Sequence, residues 1–206
     1  MGTSPPLLGE PLPVELMNTV WADRDGIHDA LRDTAGTAAW LRAVAPRLAP
    51  LTAGDVDALS PDDLRTLTER LRGLRDALRR LAAEATGDPR PAAASPAGLA
   101  AAVATLNEAA GAVPHWSALV WPPGGQPARL TRTGGDAPAA ALSALAEEAI
   151  ALFGQGGDRL RLRSCLAPGC VLYFLKDHPR REWCSPTCGS RVRARRHYHR
   201  HRRPPT

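Results

Sequence analysis

The clearest pattern of apolar and polar positions lies between Ser60 and Gly87. Leucines recur there at steps of three and four residues, and Arg, Glu and Asp occupy most positions between them. This spacing predicts an amphipathic helix with one buried stripe. Ser60 supplies a cap and Pro61 the first helical position, while Gly87 ends the pattern. Because the pattern stops there, a core helix of a bundle is favoured over an extended coiled coil.

Weaker patterns of the same period predict further helices on both sides of this one. They cover residues 13–21, 34–45 with Thr34 as the cap, 95–111 with Ser95-Pro96 as the start, and 137–153. Residues 23–33 are charged and irregular, so no regular element is expected in that segment. Residues 113–132 alternate in polarity around a Pro-Pro-Gly-Gly turn, which predicts a β-hairpin.

These elements define a predicted first domain. The glycines at 154, 156 and 157 end the last of its helices, so we place a mainly helical domain with one β-hairpin over residues 1–157. The remaining residues, 158–206, form a second and smaller unit. The predicted fold class is therefore α+β, mainly α, with a small metal-binding finger after the helical domain.

Charge divides the chain at nearly the same place. Residues 159–206 contain 13 Lys and Arg against two acids, a net charge of +11, whereas residues 1–158 carry a net charge of −6. A basic appendage on an acidic body is typical of proteins that bind a polyanion. No run of about 18 apolar residues and no basic-then-apolar N-terminus occurs, so neither a membrane span nor a secretory signal is expected. We expect a cytoplasmic, nucleoid-associated protein.

All four cysteines lie within 24 residues, as Cys165, Cys170, Cys184 and Cys188. The spacing C-x4-C-x13-C-x3-C gives two close pairs, which is the layout of a four-thiolate zinc site. The alternatives are two disulfides or unligated thiols, and a reducing compartment disfavours the first. Four thiolates complete the coordination shell, so the predicted cofactor is one structural Zn²⁺ without a catalytic water.

The residues around the cysteines predict how the site folds. Ala167-Pro168-Gly169 is typical of a tight turn, residues 171–175 have strand character, and a second strand is expected to end at Trp183. Ser185-Pro186 predicts a helix start that brings Cys184 and Cys188 together. Turn, hairpin and helix are the parts of a treble-clef zinc finger. We expect chelation to melt this finger alone and to leave the body folded.

An Arg-rich segment follows the last cysteine. Seven of the thirteen residues from 191 to 203 are Arg and three are His, so a helix there would carry Arg on most of its surface. Guanidinium groups pair well with phosphate, which predicts salt-sensitive binding to nucleic acid. The candidate contacts are Lys176, Arg180, Arg181, Arg191, Arg193, Arg195, Arg196, Arg200, Arg202 and Arg203. A solvated tail that binds nothing is the alternative interpretation.

At its C-terminal end the chain resembles the CGNR zinc-finger family of bacteria. The resemblance rests on Arg181-Glu182-Trp183 followed by the segment 184–191, CSPTCGSR, and on Tyr173-Phe174 upstream. This chain has Ser190 where that family usually has Asn, so we include Ser190 among the candidate nucleic-acid contacts. The N-terminal part resembles the ABATE domain through the segment 16–20, LMNTV. Together the resemblances imply a stress-induced transcription regulator whose N-terminal domain senses a ligand.

The body offers one candidate ligand pocket and no catalytic motif. Asn18 and Asn107 lie among apolar residues, and each could line a small-molecule pocket with Trp21, Trp40 or His115. The alternative is that each amide satisfies nearby backbone groups. Because phosphate loops, nucleophile elbows and His-x-x-x-His pairs are missing from residues 1–157, an enzyme is disfavoured.

Three functions remain from the sequence. The leading hypothesis is a transcription regulator that binds duplex DNA, with a homodimer as one possible assembly. The second is a module that docks an acidic protein partner, and the third is RNA binding.

Overall fold

The protein, as a computed structural model, is described over residues 5–90, 98–154 and 156–201. Within these ranges it is mainly helical, with three two-stranded antiparallel sheets, which confirms the predicted fold class. In chain order the elements are α1 (Leu12–Met17), β1 (Val20–Asp23), β2 (Gly26–Asp29), α2 (Thr34–Val44), α3 (Ala53–Asp57), α4 (Pro61–Thr86), α5 (Leu99–Ala110), β3 (His115–Val120), β4 (Ala128–Thr133), α6 (Ala137–Gly154), α7 (Gly156–Arg159), β5 (Leu162–Ser164), β6 (Tyr173–Leu175) and α8 (Pro186–His201).

The long helix α4 forms as its sequence predicts. The Ser60 hydroxyl accepts a hydrogen bond from the Asp63 amide at 3.1 Å, Pro61 occupies the first helical position, and Gly87 ends the helix in the left-handed conformation with φ of 58°. Its buried side includes Leu71 and Leu78. The predicted start of α2 differs by one residue, because the carboxylate of Asp33, rather than Thr34, caps that helix.

The body departs from the predictions between residues 18 and 33. The helix predicted over residues 13–21 ends at Met17, and Val20 and Trp21 belong to β1 instead. The charged segment 23–33, predicted to be irregular, contains β2, which pairs with β1 in a second hairpin. The Trp21 and His28 rings stack across this pair with centroids 5.1 Å apart. The predicted helix start at Ser95-Pro96 lies outside the described residues, and the described part of α5 begins at Leu99 after Gly98. The predicted hairpin in 113–132 is present as β3 and β4.

The core of the body lies between α1, α4, α5 and α6. Fully buried side chains such as Leu16, Leu78 and Leu145 fill it. Helix α6 is long and apolar enough to meet the criteria for a membrane-crossing helix. In this fold it is a core helix, because eight of its side chains are buried and Glu148 on the same helix accepts a hydrogen bond from the amide of Leu12 at 3.1 Å.

The finger and the body share this core. Leu162, Tyr173 and Leu175, from β5 and β6, are buried in the same apolar cluster as the body helices. A second, smaller cluster surrounds the four cysteines and includes Phe174 and Val192. One face of the small β5–β6 sheet therefore belongs to the body, and the other belongs to the cysteine cluster.

The strand pairing inside the finger corrects the prediction. Strand β6 pairs with β5, which precedes Cys165, and the segment that ends at Trp183 is not a strand. The sheet thus encloses the turn between the first two cysteines. The chain then reaches α8 through residues 176–185 without further strand pairing.

Candidate metal centre and basic helix

The four cysteine sulphurs converge on one point. Their Sγ atoms all lie within 4.8 Å of one another and all four residues are buried. The Sγ atoms of Cys184 and Cys188 are 3.6 Å apart, and those of Cys170 and Cys184 are 3.8 Å apart. A tetrahedral zinc ion with Zn–S bonds of about 2.3 Å places its sulphurs about 3.8 Å apart. Disulfides need about 2.05 Å, so the spacing fits a zinc site with four cysteine ligands.

The position of the cluster at the start of α8 favours thiolate ligands. Among the thiols themselves, shared hydrogen bonds lower the pKa of Cys165 and raise the pKa of Cys170 and Cys184. The first turn of α8 lies beside the cluster, where the Ser185 hydroxyl accepts from the Cys188 amide at 3.3 Å. The positive end of the helix dipole also favours negative sulphur at this position.

The turn between Cys165 and Cys170 is held from two sides. Gly169 has a φ of +73°, a conformation that side chains disfavour, and the Cys170 amide donates to the Ala167 carbonyl at 2.9 Å. From α8, the Arg191 guanidinium donates to the Pro168 carbonyl at 2.8 Å. Arg191 therefore joins the helix to the turn that carries the first two ligands.

Close packing explains a glycine in the first turns of α8. A Cβ atom at Gly189 would lie 3.2 Å from the Trp183 ring. The indole therefore packs directly on the helix backbone one residue after Cys188. This contact fixes how α8 sits over the cluster.

Comparison with family models agrees with this geometry. Residues 10–156 match the ABATE family, whose description is a putative stress-induced transcription regulator, and residues 161–201 match the CGNR zinc finger. The chain belongs to the ABATE family and ends in a CGNR zinc finger. No curated protein sequence matched the chain. The predicted resemblance is confirmed, and the four-cysteine cluster is the zinc site of the CGNR finger.

The ABATE domain holds the first pair of zinc ligands through Arg90. Its Nη1 atom donates to the carbonyls of Cys165 and Cys170, each at 3.0 Å. The same guanidinium pairs with the fully buried carboxylate of Asp88, which also accepts from the Tyr173 hydroxyl at 2.8 Å. Burial opposes ionisation of Asp88, but hydrogen bonds from Arg90 and Tyr173 lower its pKa. Burial, reinforced by Asp88, raises the pKa of Tyr173 to about 12.

Two more body residues bind the backbone of β6 and of the segment just before it. Both ends of the Asn18 amide pair with the backbone of Tyr173, each at 2.9 Å. Arg79 donates to the carbonyls of Met17 and Val171, at 2.9 Å and 3.3 Å. The ABATE domain therefore satisfies main-chain groups of the CGNR finger with buried side chains.

Sequence reasoning missed Arg79, Asp88 and Arg90. Asp88 and Arg90 follow the end of α4, in a segment whose composition is typical of an ordinary loop. Their partners lie 75 to 85 residues further along the chain. The only sequence feature that could have pointed to Asp88 and Arg90 is their opposite charge, so close to the end of the amphipathic helix α4.

The candidate nucleic-acid residues fall into two groups. Arg181 and Arg191 are directed into the protein: Arg181 donates to the Leu175 carbonyl at 3.0 Å and pairs with the buried Glu10. Ser190 is exposed and accepts from Arg193 at 2.9 Å. The remaining described candidates are exposed, apart from the half-buried Lys176: they are Arg180, Arg193, Arg195, Arg196 and Arg200. Arg202 and Arg203 lie outside the described residues.

The four candidate pocket residues are not brought together. Asn18 is fully buried and bound to Tyr173, as described above, whereas Asn107 is exposed on α5. Trp21 stacks on His28, and Trp40 lines a separate cavity of about 430 Å³ beside α2. Asn18 therefore takes the alternative role of satisfying backbone groups. A ligand site in the ABATE domain stays a prediction.

Proposed function

We propose that the chain is a transcription regulator that binds duplex DNA through α8 in the cytoplasm, on the nucleoid. One observation carries the proposal: a helix with exposed Arg side chains is anchored, at its first turn, to a buried cluster of four cysteines. Zinc fixes the helix while leaving its basic surface accessible. With four thiolate ligands the metal has no position for a reacting water, which supports a structural and non-catalytic role.

The distribution of charge supports a phosphate-binding surface. The finger exposes Arg180, Arg193, Arg195, Arg196 and Arg200, with the half-buried Lys176 nearby. Three of them, Arg195, Arg196 and Arg200, line a groove of about 540 Å³ between α8 and the turn that joins Cys165 to Cys170. A helix fits the major groove of B-form DNA, and Arg pairs with phosphate along its rim.

Salt dependence tests this proposal directly. If the six cations of a finger each neutralise one phosphate, the logarithm of affinity for a mixed-sequence duplex falls against the logarithm of salt with a slope of about −5 for each bound finger. Replacing both Arg196 and Arg200 by Gln reduces the magnitude of that slope by about 2. The matched control is Arg70→Gln, an exposed arginine on α4, which leaves the slope unchanged.

The competing functions are outcomes of the same experiment. Absence of duplex binding at low salt would sink the proposal. If structured RNA displaces duplex DNA at a lower concentration than unlabelled duplex does, the ligand is RNA. A partner that is retained in pull-downs after nuclease treatment, and lost with the double variant, identifies a protein-docking helix instead.

A further inference from the structure

The β3–β4 hairpin projects from the body with its apolar side chains uncovered. It pairs with no other strand, and among the described residues it has no extensive packing against another element. Trp116 is 53% exposed, Leu119 70% and Trp121 67%. An isolated two-stranded hairpin is marginally stable in water, so this exposure indicates a missing partner.

The two faces of the hairpin differ in character. The register pairs Ala118 with Leu130 and Val120 with Ala128, and alternation puts Trp116 on that same face. One face is therefore apolar except for Arg132 at its end. The opposite face carries Ser117, Thr131 and other polar groups around Leu119 and Arg129.

The two open edges also differ. Strand β4 carries Arg129 and Arg132, and Pro127 precedes it, which are features that block pairing at a sheet edge. Strand β3 and the residue after it, HWSALVW, contain no Lys, Arg, Asp or Glu. The unprotected edge is therefore β3, and its sequence has the apolar, uncharged composition that favours pairing with another strand.

We propose that β3 pairs with β3 of a second copy of this chain. Antiparallel pairing about a twofold axis gives one four-stranded sheet, and the same uncharged edge serves both copies. With Ala118 beside the axis, Trp116 packs against Val120 of the partner subunit. Pairing through β4 would instead bring arginines of the two copies together. A carboxylate-rich partner is disfavoured because β3 offers no Lys or Arg to receive it.

The uncovered side chains of β3 and the residue after it supply part of the area that such a contact needs. Taking about 150–250 Å² for a tryptophan side chain, the exposed parts of Trp116, Leu119 and Trp121 amount to on the order of 300 Å² per copy. A stable interface buries about 800 Å² per partner. These side chains, which lie on both faces of the strand, supply less than half of that area, and the backbone of the paired strands adds to it. A dimer would also present two copies of α8, as a regulator that binds two half-sites requires.

Mass measurement on the full zinc-loaded chain tests the pairing without DNA. Sedimentation equilibrium is expected to show a dimer for the natural sequence. Trp116→Glu is expected to weaken dimerisation at least about tenfold, since a desolvated anchor is lost and a charge enters the sheet. The matched control Ile27→Glu, at a side chain 65% exposed on the other hairpin, is expected to remain dimeric.

Variants of opposite charge at Ala118 distinguish a loss of strand pairing from a failure to fold. Ala118→Glu and Ala118→Lys each put like charges beside the axis and are expected to be monomeric alone, whereas their equimolar mixture forms a heterodimer. A natural chain that stays monomeric at its solubility limit, or a Trp116→Glu chain that stays dimeric, overturns the proposal. A natural chain that is monomeric and whose duplex affinity nevertheless falls on Trp116→Glu identifies the hairpin as a nucleic-acid contact instead. Failure here leaves the α8 salt test standing, since that test needs no dimer.

Discussion

Arg90, Arg181 and Arg191 direct their guanidinium groups into the protein, whereas Arg196 and Arg200 on α8 are exposed. The sequence located the basic segment but did not distinguish these two roles. The arginines that point inward donate to main-chain carbonyls, and because every residue has a carbonyl, the sequence does not show which one is the acceptor. Which carbonyl comes within reach depends on the tertiary fold. The cysteines were predictable because the metal restricts both residue type and spacing.

Arg90→Gln is expected to weaken the zinc site and destabilise the chain. The substitution leaves the buried Asp88 carboxylate without its cation, which costs about 3–5 kcal/mol of unfolding free energy. It also removes donors from the carbonyls of Cys165 and Cys170, so zinc affinity is expected to fall about 10–100-fold, as for other residues that orient metal ligands. Competition with a chromophoric chelator and urea unfolding measure the two effects.

The control for Arg90 is Arg70→Gln, on the exposed surface of α4. It is expected to change the unfolding free energy by no more than about 0.5 kcal/mol and to leave zinc affinity unchanged. If Arg90→Gln keeps the natural zinc affinity while losing stability, Arg90 supports the fold and does not position the ligands.

At the scale of helices and strands, local signals decided what could be predicted. Helix α4 has its cap, its periodic stripe and its terminal glycine within its own sequence, so its limits were predicted correctly. The hairpin of β1 and β2 was missed, because each strand has only four residues and none of them is fully buried, so no apolar alternation marks them. Strand β6 was predicted, but its partner β5 was not. Pairing with β5 places Tyr173 and Leu175 in the body core, and this burial depends on the tertiary fold and not on the local sequence.

Gly189→Ala is expected to shift α8 relative to the Trp183 ring and to destabilise the chain. The added methyl group would lie 3.2 Å from the Trp183 ring, so the indole or the helix must shift by a few tenths of an ångström. This overpacking costs about 1–3 kcal/mol, of which the better helix propensity of Ala recovers up to about 1 kcal/mol. Faster zinc loss to a chelator and a lower unfolding temperature are the expected results. Both would follow from movement of Cys188, which adjoins the substituted residue.

Gly73→Ala supplies the matched control, because it makes the same change inside α4 where a Cβ meets nothing within 4 Å. Helix propensity alone then acts, and stability is expected to rise by up to about 1 kcal/mol. If Gly189→Ala also stabilises the chain, the contact with Trp183 does not constrain the helix.

At the scale of the whole molecule, hydrogen bonds join the finger to the body, and neither part can make these bonds alone. Asn18, Arg79 and Arg90 donate to backbone carbonyls of the finger, while Tyr173 fills the body core. The charge division seen in the sequence therefore does not describe how the parts pack. The acidic body and the basic finger pack as one unit. The metal fixes the finger backbone, and body side chains donate hydrogen bonds to the carbonyls of that backbone.

Zinc removal is consequently expected to destabilise the body as well as the finger, contrary to the expectation from sequence. Metal binding to an isolated finger is linked to about 10–16 kcal/mol of folding free energy, and without it β6 no longer holds Tyr173 against the body. Hydrogen exchange before and after chelation measures this: amides of α1 and of the end of α4 are expected to lose protection together with those of α8. Cys184→Ser should reproduce the loss without chelator. Unchanged protection in α1 would mean that the body folds independently, and that the buried contacts of Asn18 and Arg79 form only after each part has folded.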